Sequence, residues 1–425
     1  MTKDAGEDAA PERELPGRLE RRAPGQWELY RKTGESWELS ASPGFARTAW
    51  RREEGWAARW WDRGGPRFAA ASSAEALRAA LEDGARYAVA DEPPPEWPTR
   101  VVAAPPPPAI EPPPALFAEL ARAVAASSRG ECTLVRLTLR RGTTRERIEN
   151  GAGLDVALAR AACDGVATAV GRRGGRAREV RVAFQAADPP PIDPLARRLC
   201  DAAVLPLEEP AAPPARGQWL LDPAVGAALL AGLAPVFTSE RPPVWIARGS
   251  LASPEVSIAD DASGDSPFDG EGVASRRVLL VDEGRLAAGL YDLRTARRTG
   301  RASTGHGVRP SFRSPPGARP RRLFFETSSP RPAAELLASV TRGLYASALT
   351  APVRVDLAED RFEVEFTGVS VIAGRARGPI PGARASGRIS ELLHRVRALS
   401  GDVQFFPMPF AAGAPTILVE RANFD

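Results

Sequence analysis

Lysine is almost missing from these 425 residues: Lys3 and Lys32 are the only two, so arginine carries nearly all the positive charge. The 57 basic side chains exceed the 53 acidic ones by four, and the signs stay mixed along the chain. That balance excludes a strongly basic nucleic-acid binder as the first reading. Histidine is as scarce, with His306 and His394 alone. A catalytic zinc site takes about three protein ligands, so two histidines would need help from distant residues. The three cysteines, Cys132, Cys163 and Cys200, are odd in number and form no CxxC, which argues against a disulfide framework. Each is expected as a small buried apolar residue. No apolar run approaches the roughly 18–20 residues of a membrane span. The opening MTKDAGEDAAPERELPG lacks a basic start and an apolar core, so a cytoplasmic location is expected.

What is present concentrates in Arg276 to Gly305, RRVLLVDEGRLAAGLYDLRTARRTGRASTG. Val278 to Val281 is an apolar run with strand character. Asp282-Glu283-Gly284-Arg285 reads as a turn in which Gly284 can take a positive φ. Leu286 to Tyr291 reads as the returning strand. Asp292 can cap a short helix over Leu293 to Thr299, and Gly300 can end it. Ser303-Thr304-Gly305-His306 then forms a polar loop.

The motif V-D-E-G-R-L-x-x-G-L-Y-D-x-R-T-A-x-R-x-G-x-x-S-T-G in this stretch resembles the C-terminal domain of the TldD/PmbA family. The resemblance implies an α+β chain: α/β sandwich-like N-terminal domains followed by a β-rich C-terminal domain. It also implies a role in peptide processing, in which TldD members are zinc metalloproteases. Earlier residues are similar to the family too, namely Glu53, Gly55, Ala57 and Arg59 ahead of the Ser72-Ser73 helix start, and Arg147 to Gly153 as a strand and turn.

The chain divides by composition. Residues 1–25 are polar and without periodicity, and are expected as a disordered arm. Residues 26–92 alternate Trp27, Leu29, Trp37, Leu39 and then Trp56, Ala58, Trp60, as sheet strands do. Ser72 and Glu75 suggest a capping box before a helix with Leu77 and Leu81 inward. Residues 93–114 are half proline, expected as a stiff extended linker. A middle domain, 115–215, opens with Leu116, Phe117, Leu120 and Val124 at helical spacing. Strands through Val135-Leu137-Leu139, Val166 to Val170 and Val180 to Phe184 follow, then a helix capped by Asp193. The C-terminal domain, 216–425, starts with the strand Trp219 to Leu221 and the Asp222-Pro223 helix start. Helices are expected over Ala333 to Tyr345 and Glu391 to Leu399, with an alternating strand through Phe362, Val364 and Phe366.

In the zinc-binding members that the resemblance points to, the helix after the L-D-P strand end carries H-E-x-x-x-H, two ligands and a water-activating glutamate. Aligned here, Ala231 and Val236 replace the histidines and Gly232 the glutamate. A later cysteine ligand would fall near residues 400–404, where none stands. The resemblance therefore implies a non-catalytic, PmbA/TldE-type member with no catalytic residue, no metal and no zinc cofactor. Its partner would be a TldD-like zinc subunit or a second copy of itself, with an extended peptide as substrate. Arg294, Arg297, Ser303, Thr304, Gly305 and His306 are the expected lining of the peptide cleft, because guanidinium groups grip carboxylates bidentately. Two other readings remain open: a metal-independent hydrolase using Ser303 or His306, which lacks a G-x-S-x-G elbow, and an arginine-dependent nucleic-acid binder.

Overall fold

The computed structural model describes residues 9–423 except 64, 84–93, 100–115, 187–190, 205–206, 208–210, 212–213, 215, 240, 242–244, 246–248 and 265. The first half is organised by one antiparallel six-stranded sheet. Its strands are β1 (Trp27–Ser42), β2 (Phe45–Asp62), β3 (Gly65–Ala71), β4 (Cys132–Asn150), β5 (Asp155–Arg173) and β6 (Arg176–Ala186), in the order β3-β2-β1-β4-β5-β6. Four of these run 16 to 19 residues, much longer than the usual strand of about 5–6. Two faces follow from the register. Leu29 lies opposite Ala58, and Leu39 opposite Leu139, so odd residues of β1 share one face.

That face is covered by helices. At one end α1 (Ala9–Arg22) and α2 (Ala74–Asp83) close over Trp27, Trp56 and Trp60, with Leu15, Leu19, Leu77 and Leu81 buried between them. At the other end α3 (Leu116–Ser127) and α4 (Ile192–Val204) cover Leu39, Leu134, Leu137, Leu139 and Phe184. The opposite face carries Tyr30, Ala57, Ile148, Val156 and Leu158, and packs on Phe268 and Phe312 of the C-terminal half.

Two expectations are corrected here. Residues 1–25 are not wholly a disordered arm: Ala9–Arg22 is helical, because Leu15 and Leu19 sit one turn apart and are fully buried. Nor are 26–92 and 115–215 separate domains, since β1 and β4 pair from Glu28↔Asn150 to Ala41↔Leu137 in a single sheet. The proline-rich 93–114 segment is not a free spacer where it is described, at 94–99. Trp97 packs edge-on to Trp61 at 5.6 Å, its Nε1 donates to Gln26 Oε1 at 3.2 Å, and Asn150 Nδ2 donates to the Pro98 carbonyl at 2.9 Å. The rest of that segment lies outside the described residues. The α2 start is also shifted: Ser73, not Ser72, accepts the first-turn N–H, from Ala76 at 3.1 Å.

The C-terminal half adds β7 (Arg216–Leu221), α5 (Pro223–Gly232), β8 (Ser257–Asp260), β9 (Val278–Asp282), β10 (Arg285–Leu286), α6 (Leu293–Thr299), β11 (Gly307–Val308), β12 (Gly317–Ala318), β13 (Arg322–Glu326) and α7 (Ala333–Ser339). After them come β14 (Arg342–Leu349), β15 (Arg354–Asp356), β16 (Arg361–Ile372), β17 (Arg375–Arg388), α8 (Ile389–His394), β18 (Val396–Leu399), β19 (Gln404–Pro407), β20 (Ala411–Ala414) and β21 (Ile417–Asn423). They form one sheet in the order β10-β9-β8-β13-β20-β19 and another in the order β15-β16-β14-β7-β21-β18, with β17 beside β16. Helix α5 lies in the core between them, which is why it is apolar on every side: Val225, Ala227, Leu229 and Leu230 are all buried. The architecture is α+β with a β-rich C-terminal half.

Three sequence readings end early here. The return strand after Gly284 is only Arg285–Leu286, because Ala287 and Ala288 turn back onto the Leu280 carbonyl. The helix from Ala333 stops at Ser339, and residues 342–349 join the sheet as β14 between β7 and β16. The helix after Ser390 stops at His394, and Val396–Leu399 pairs with β21.

Candidate functional site

The polar loop after α6 is a buried seam. Asp292 caps α6 by accepting the Thr295 N–H at 2.7 Å, and Gly300 ends the helix in the left-handed region at φ 64°. The chain then returns under Tyr291: Thr304 N donates to the Tyr291 carbonyl at 3.0 Å, and Tyr291 N donates to Thr304 Oγ1 at 2.8 Å. Ser303 Oγ also spends its proton on the Tyr291 carbonyl, at 3.1 Å. His306 is 1% exposed, with Nε2 3.0 Å from Asp260 Oδ1 and Nδ1 2.8 Å from the Thr304 carbonyl. Asp260 in turn accepts the backbone N–H groups of Arg321, at 2.9 Å, and Arg322. Both imidazole nitrogens are thus committed, and Thr304, Gly305 and His306 are all buried.

Of the positions expected to line a cleft, Thr304, Gly305 and His306 lie in the interior and Ser303 is half-buried. The seam is packed within the C-terminal half, against Asp260, Tyr291 and Arg321. Arg294 is half-buried, while Arg297 is exposed and pairs with Glu96 at 3.2 Å. His394 is exposed at the end of α8.

Beside this loop lies an ionic cluster with no warning in the sequence. Arg59 of β2 grips Glu28 of β1 through two contacts at 3.0 and 2.8 Å, and reaches Glu271 Oε1 at 2.7 Å. Glu271 Oε2 accepts the Leu293 N–H at 2.7 Å, and Arg309 closes the circuit back to Glu28. Asp269 accepts N–H groups from Glu271, Val273 and Gly307. All of these acids are buried. Burial pushes the Glu271 carboxyl up to about 8; Arg59 opposes the rise, and Asp292 and Asp269 add to it. The same burial raises Asp269. The residues come from β1, β2, two C-terminal loops and the start of α6, so no local spacing could announce them as a group.

The open concavity is elsewhere. On the C-terminal-facing side of the long sheet, beyond the Phe312 contact, the outer halves of β1, β2, β4 and β5 form a trough of about 640 Å³, rimmed by Pro407. Ion pairs cross its floor: Arg51 pairs with Glu38 at 3.2 Å and Arg140 with Asp164 at 3.1 Å, with Arg47 beside them.

The helix that would carry a zinc motif is α5. Its Asp222 cap accepts from Ala224 N at 2.9 Å and from the Tyr345 hydroxyl at 2.6 Å, and burial lifts this carboxyl above its ordinary range. Ala231 packs on the apolar core. A Cβ at Gly232 would stand 2.5 Å from Val355 Cγ2, so no longer side chain fits there without displacing that valine. Val236 is 1% exposed inside the core. Near 400–404, Ser400 and Asp402 tie to Thr416, whose N–H donates to Ser400 Oγ at 2.9 Å. The side chains at 231, 232 and 236 offer no donor atom, so they do not fit a zinc ion.

Residues 248–425 match the PmbA/TldA metallopeptidase C-terminal domain. That C-terminal part of the chain, residues 248–425, belongs to the TldD/PmbA family. Among relatives, it is 28% identical over 152 residues to the Metalloprotease TldD homolog of Haemophilus influenzae, covering 34% of this chain and 31% of that one. It is 37% identical over 76 residues to an uncharacterized protein of Methanocaldococcus jannaschii, 17% of this chain and 18% of that one. The matched stretches thus span less than a third of either curated relative. The crystal structure of TldE from Thermococcus kodakarensis shares the fold, with a TM-score of 0.84 at 18% identity over 98% of this chain and 100% of that one. The motif of Arg276 to Gly305 lies within this matched part, where the start of α6 is tied to the buried Glu271.

Proposed function

We propose that this chain is a non-catalytic, TldE-like subunit that works in peptide processing by pairing with another subunit. The observation that carries the reading is the packing around α5, where Gly232 abuts Val355 and Val236 is sealed in the core. A helix that had kept its zinc chemistry would present imidazole and carboxylate at those places. The partner is a TldD-like zinc subunit or a second copy of the chain. The surface suited to an extended peptide is the trough on the long sheet, where backbone groups and the Arg47, Arg51 and Arg140 side chains face open space. Among the described residues no helix is long and apolar enough to cross a membrane. The test is metal analysis and a peptide-hydrolysis assay on the purified chain. The expected result is substoichiometric zinc and no chelator-sensitive turnover; stoichiometric zinc with such turnover would overturn the reading.

A further inference from the structure

The hairpin β1–β2 reaches far past the strand that flanks it. β3 covers β2 only from Trp56, opposite Ala71, to Asp62, opposite Gly65. From Phe45 to Gly55 the outer edge of β2 has no ladder partner among the described residues. A long free edge presents unpaired N–H and C=O groups and is a template for another strand. This edge also holds two of the largest exposed apolar side chains in the protein, Phe45 at 59% and Trp50 at 46%. Arg47 and Glu53, of opposite sign and both exposed, have no ion-pair partner among the described residues.

We propose that a second copy of this chain docks here, the two β2 edges pairing antiparallel about a two-fold axis that runs between Trp50 and its copy. The sequence of the edge chooses both the occupant and the register. Directly opposite residues of a continuous sheet share a face, so a two-fold axis normal to the sheet must fall midway between a residue and its own copy. Trp50 is the midpoint of the open stretch from Phe45 to Gly55. An axis there uses the whole stretch, from the hairpin tip at Gly44 to the place where β3 takes over. It sets Arg47 against Glu53 twice, Thr48 against Arg52, Ala49 against Arg51 and Ala46 against Glu54, with no like charges opposed. Moving the axis to Ala49 sets Arg47 against Arg51, and moving it to Arg51 sets that arginine against its own copy; both are disfavoured.

In the chosen register Trp50 meets its copy on the helix-bearing face. Trp37 already stands edge-on to Trp50 there at 5.1 Å, so four tryptophans would cover one another. On the other face the two troughs become neighbours across one twelve-stranded sheet.

The inference deepens the pairing part of the proposed function by naming the partner and the surface, and is independent of the metal reading. The experiment is the solution mass of the full chain by light scattering, with variants. Wild type is expected to be a dimer. Arg47→Glu and Glu53→Arg should each raise the dissociation constant by about tenfold or more, since each sets like charges opposite one another at two places. The double variant Arg47→Glu/Glu53→Arg restores the complement and should dimerise again, which also shows that the single variants lose an interface and not the fold. Under oxidant, Trp50→Cys should cross-link two copies, whereas Trp37→Cys, one strand inward, should not; Cys132, Cys163 and Cys200 are buried and do not compete. A monomeric wild type would overturn the proposal and leave the edge to a peptide or another subunit. So would a dimer indifferent to both charge reversals and not linked through Trp50→Cys. Zinc content and proteolysis bear on the proposed function alone.

Discussion

Asp260 and His306 show how one residue changes meaning with burial. An imidazole beside a hydroxyl and a carboxylate is the material of a hydrolase, and Ser303-Thr304-Gly305-His306 carried that possibility in the sequence. In the fold, Ser303 Oγ donates to a carbonyl, and both His306 nitrogens are held 2.8–3.0 Å from oxygens inside the protein. Asp260 is fully buried and satisfies His306 together with two backbone N–H groups. Replacing it leaves three buried donors without an acceptor. Asp260→Ala is therefore expected to cost about 3 kcal/mol, read as a lower urea midpoint with an unchanged slope. A loss well under 1 kcal/mol would mean that water replaces the carboxylate, and the seam would then be solvent-accessible.

At the scale of elements, hydrophobic spacing located most strands and helices but misjudged where they stop. Spacing describes a chain packing against one neighbour, and β14 has two. It lies between β7 and β16, and its Gly343 is so close to β7 that a Cβ would stand 1.9 Å from the Gln218 carbonyl oxygen. That contact needs a glycine, and it explains why the helix from Ala333 yields to strand at Arg342. Gly343→Ala is expected to destabilise the fold by about 2–4 kcal/mol, because backbone must move. Gly382→Ala, where a Cβ meets nothing within 4 Å, should change stability by under about 0.5 kcal/mol. Thermal melts of the pair provide the comparison; equal melting temperatures would contradict the close approach.

Across the whole molecule, the two halves meet through charges buried away from water. Glu28 and Arg59 belong to the first half, and Glu271, Arg309, Asp269 and Asp292 to the second. Glu271 has its carboxyl raised from 4.5 to about 8 in the fold. Between those values the folded chain holds a proton that the unfolded chain has released. The stabilisation this provides is fully present below about pH 4.5 and is lost as pH rises through 8. Glu271→Gln keeps a neutral group at every pH. Its melting temperature should exceed that of the wild type by roughly a few degrees at pH 9, with the gap closing toward pH 5. A constant gap over that range would show that Glu271 is ionised throughout. Beyond this meeting of the halves, the outer part of the long sheet stays open around Arg47, Arg51 and Arg140.

What the chain determined by itself is local and chemical. The capped helix Leu293–Thr299 and its Gly300 stop, the apolar α5 with no ligating side chain at 231, 232 and 236, and the buried tryptophans of β1 and β2 are all consequences of side chains acting within one or two turns or strands. The tertiary structure alone decided that two stretches separated by the proline-rich segment share one sheet, that Ala9–Arg22 is a helix, that a polar loop is interior, and that β2 keeps an open edge. Each of these depends on which surfaces of separate elements meet in the folded chain. Burial and strand pairing at that separation are set by the sum of contacts over the whole molecule, and no spacing within a single segment encodes that sum.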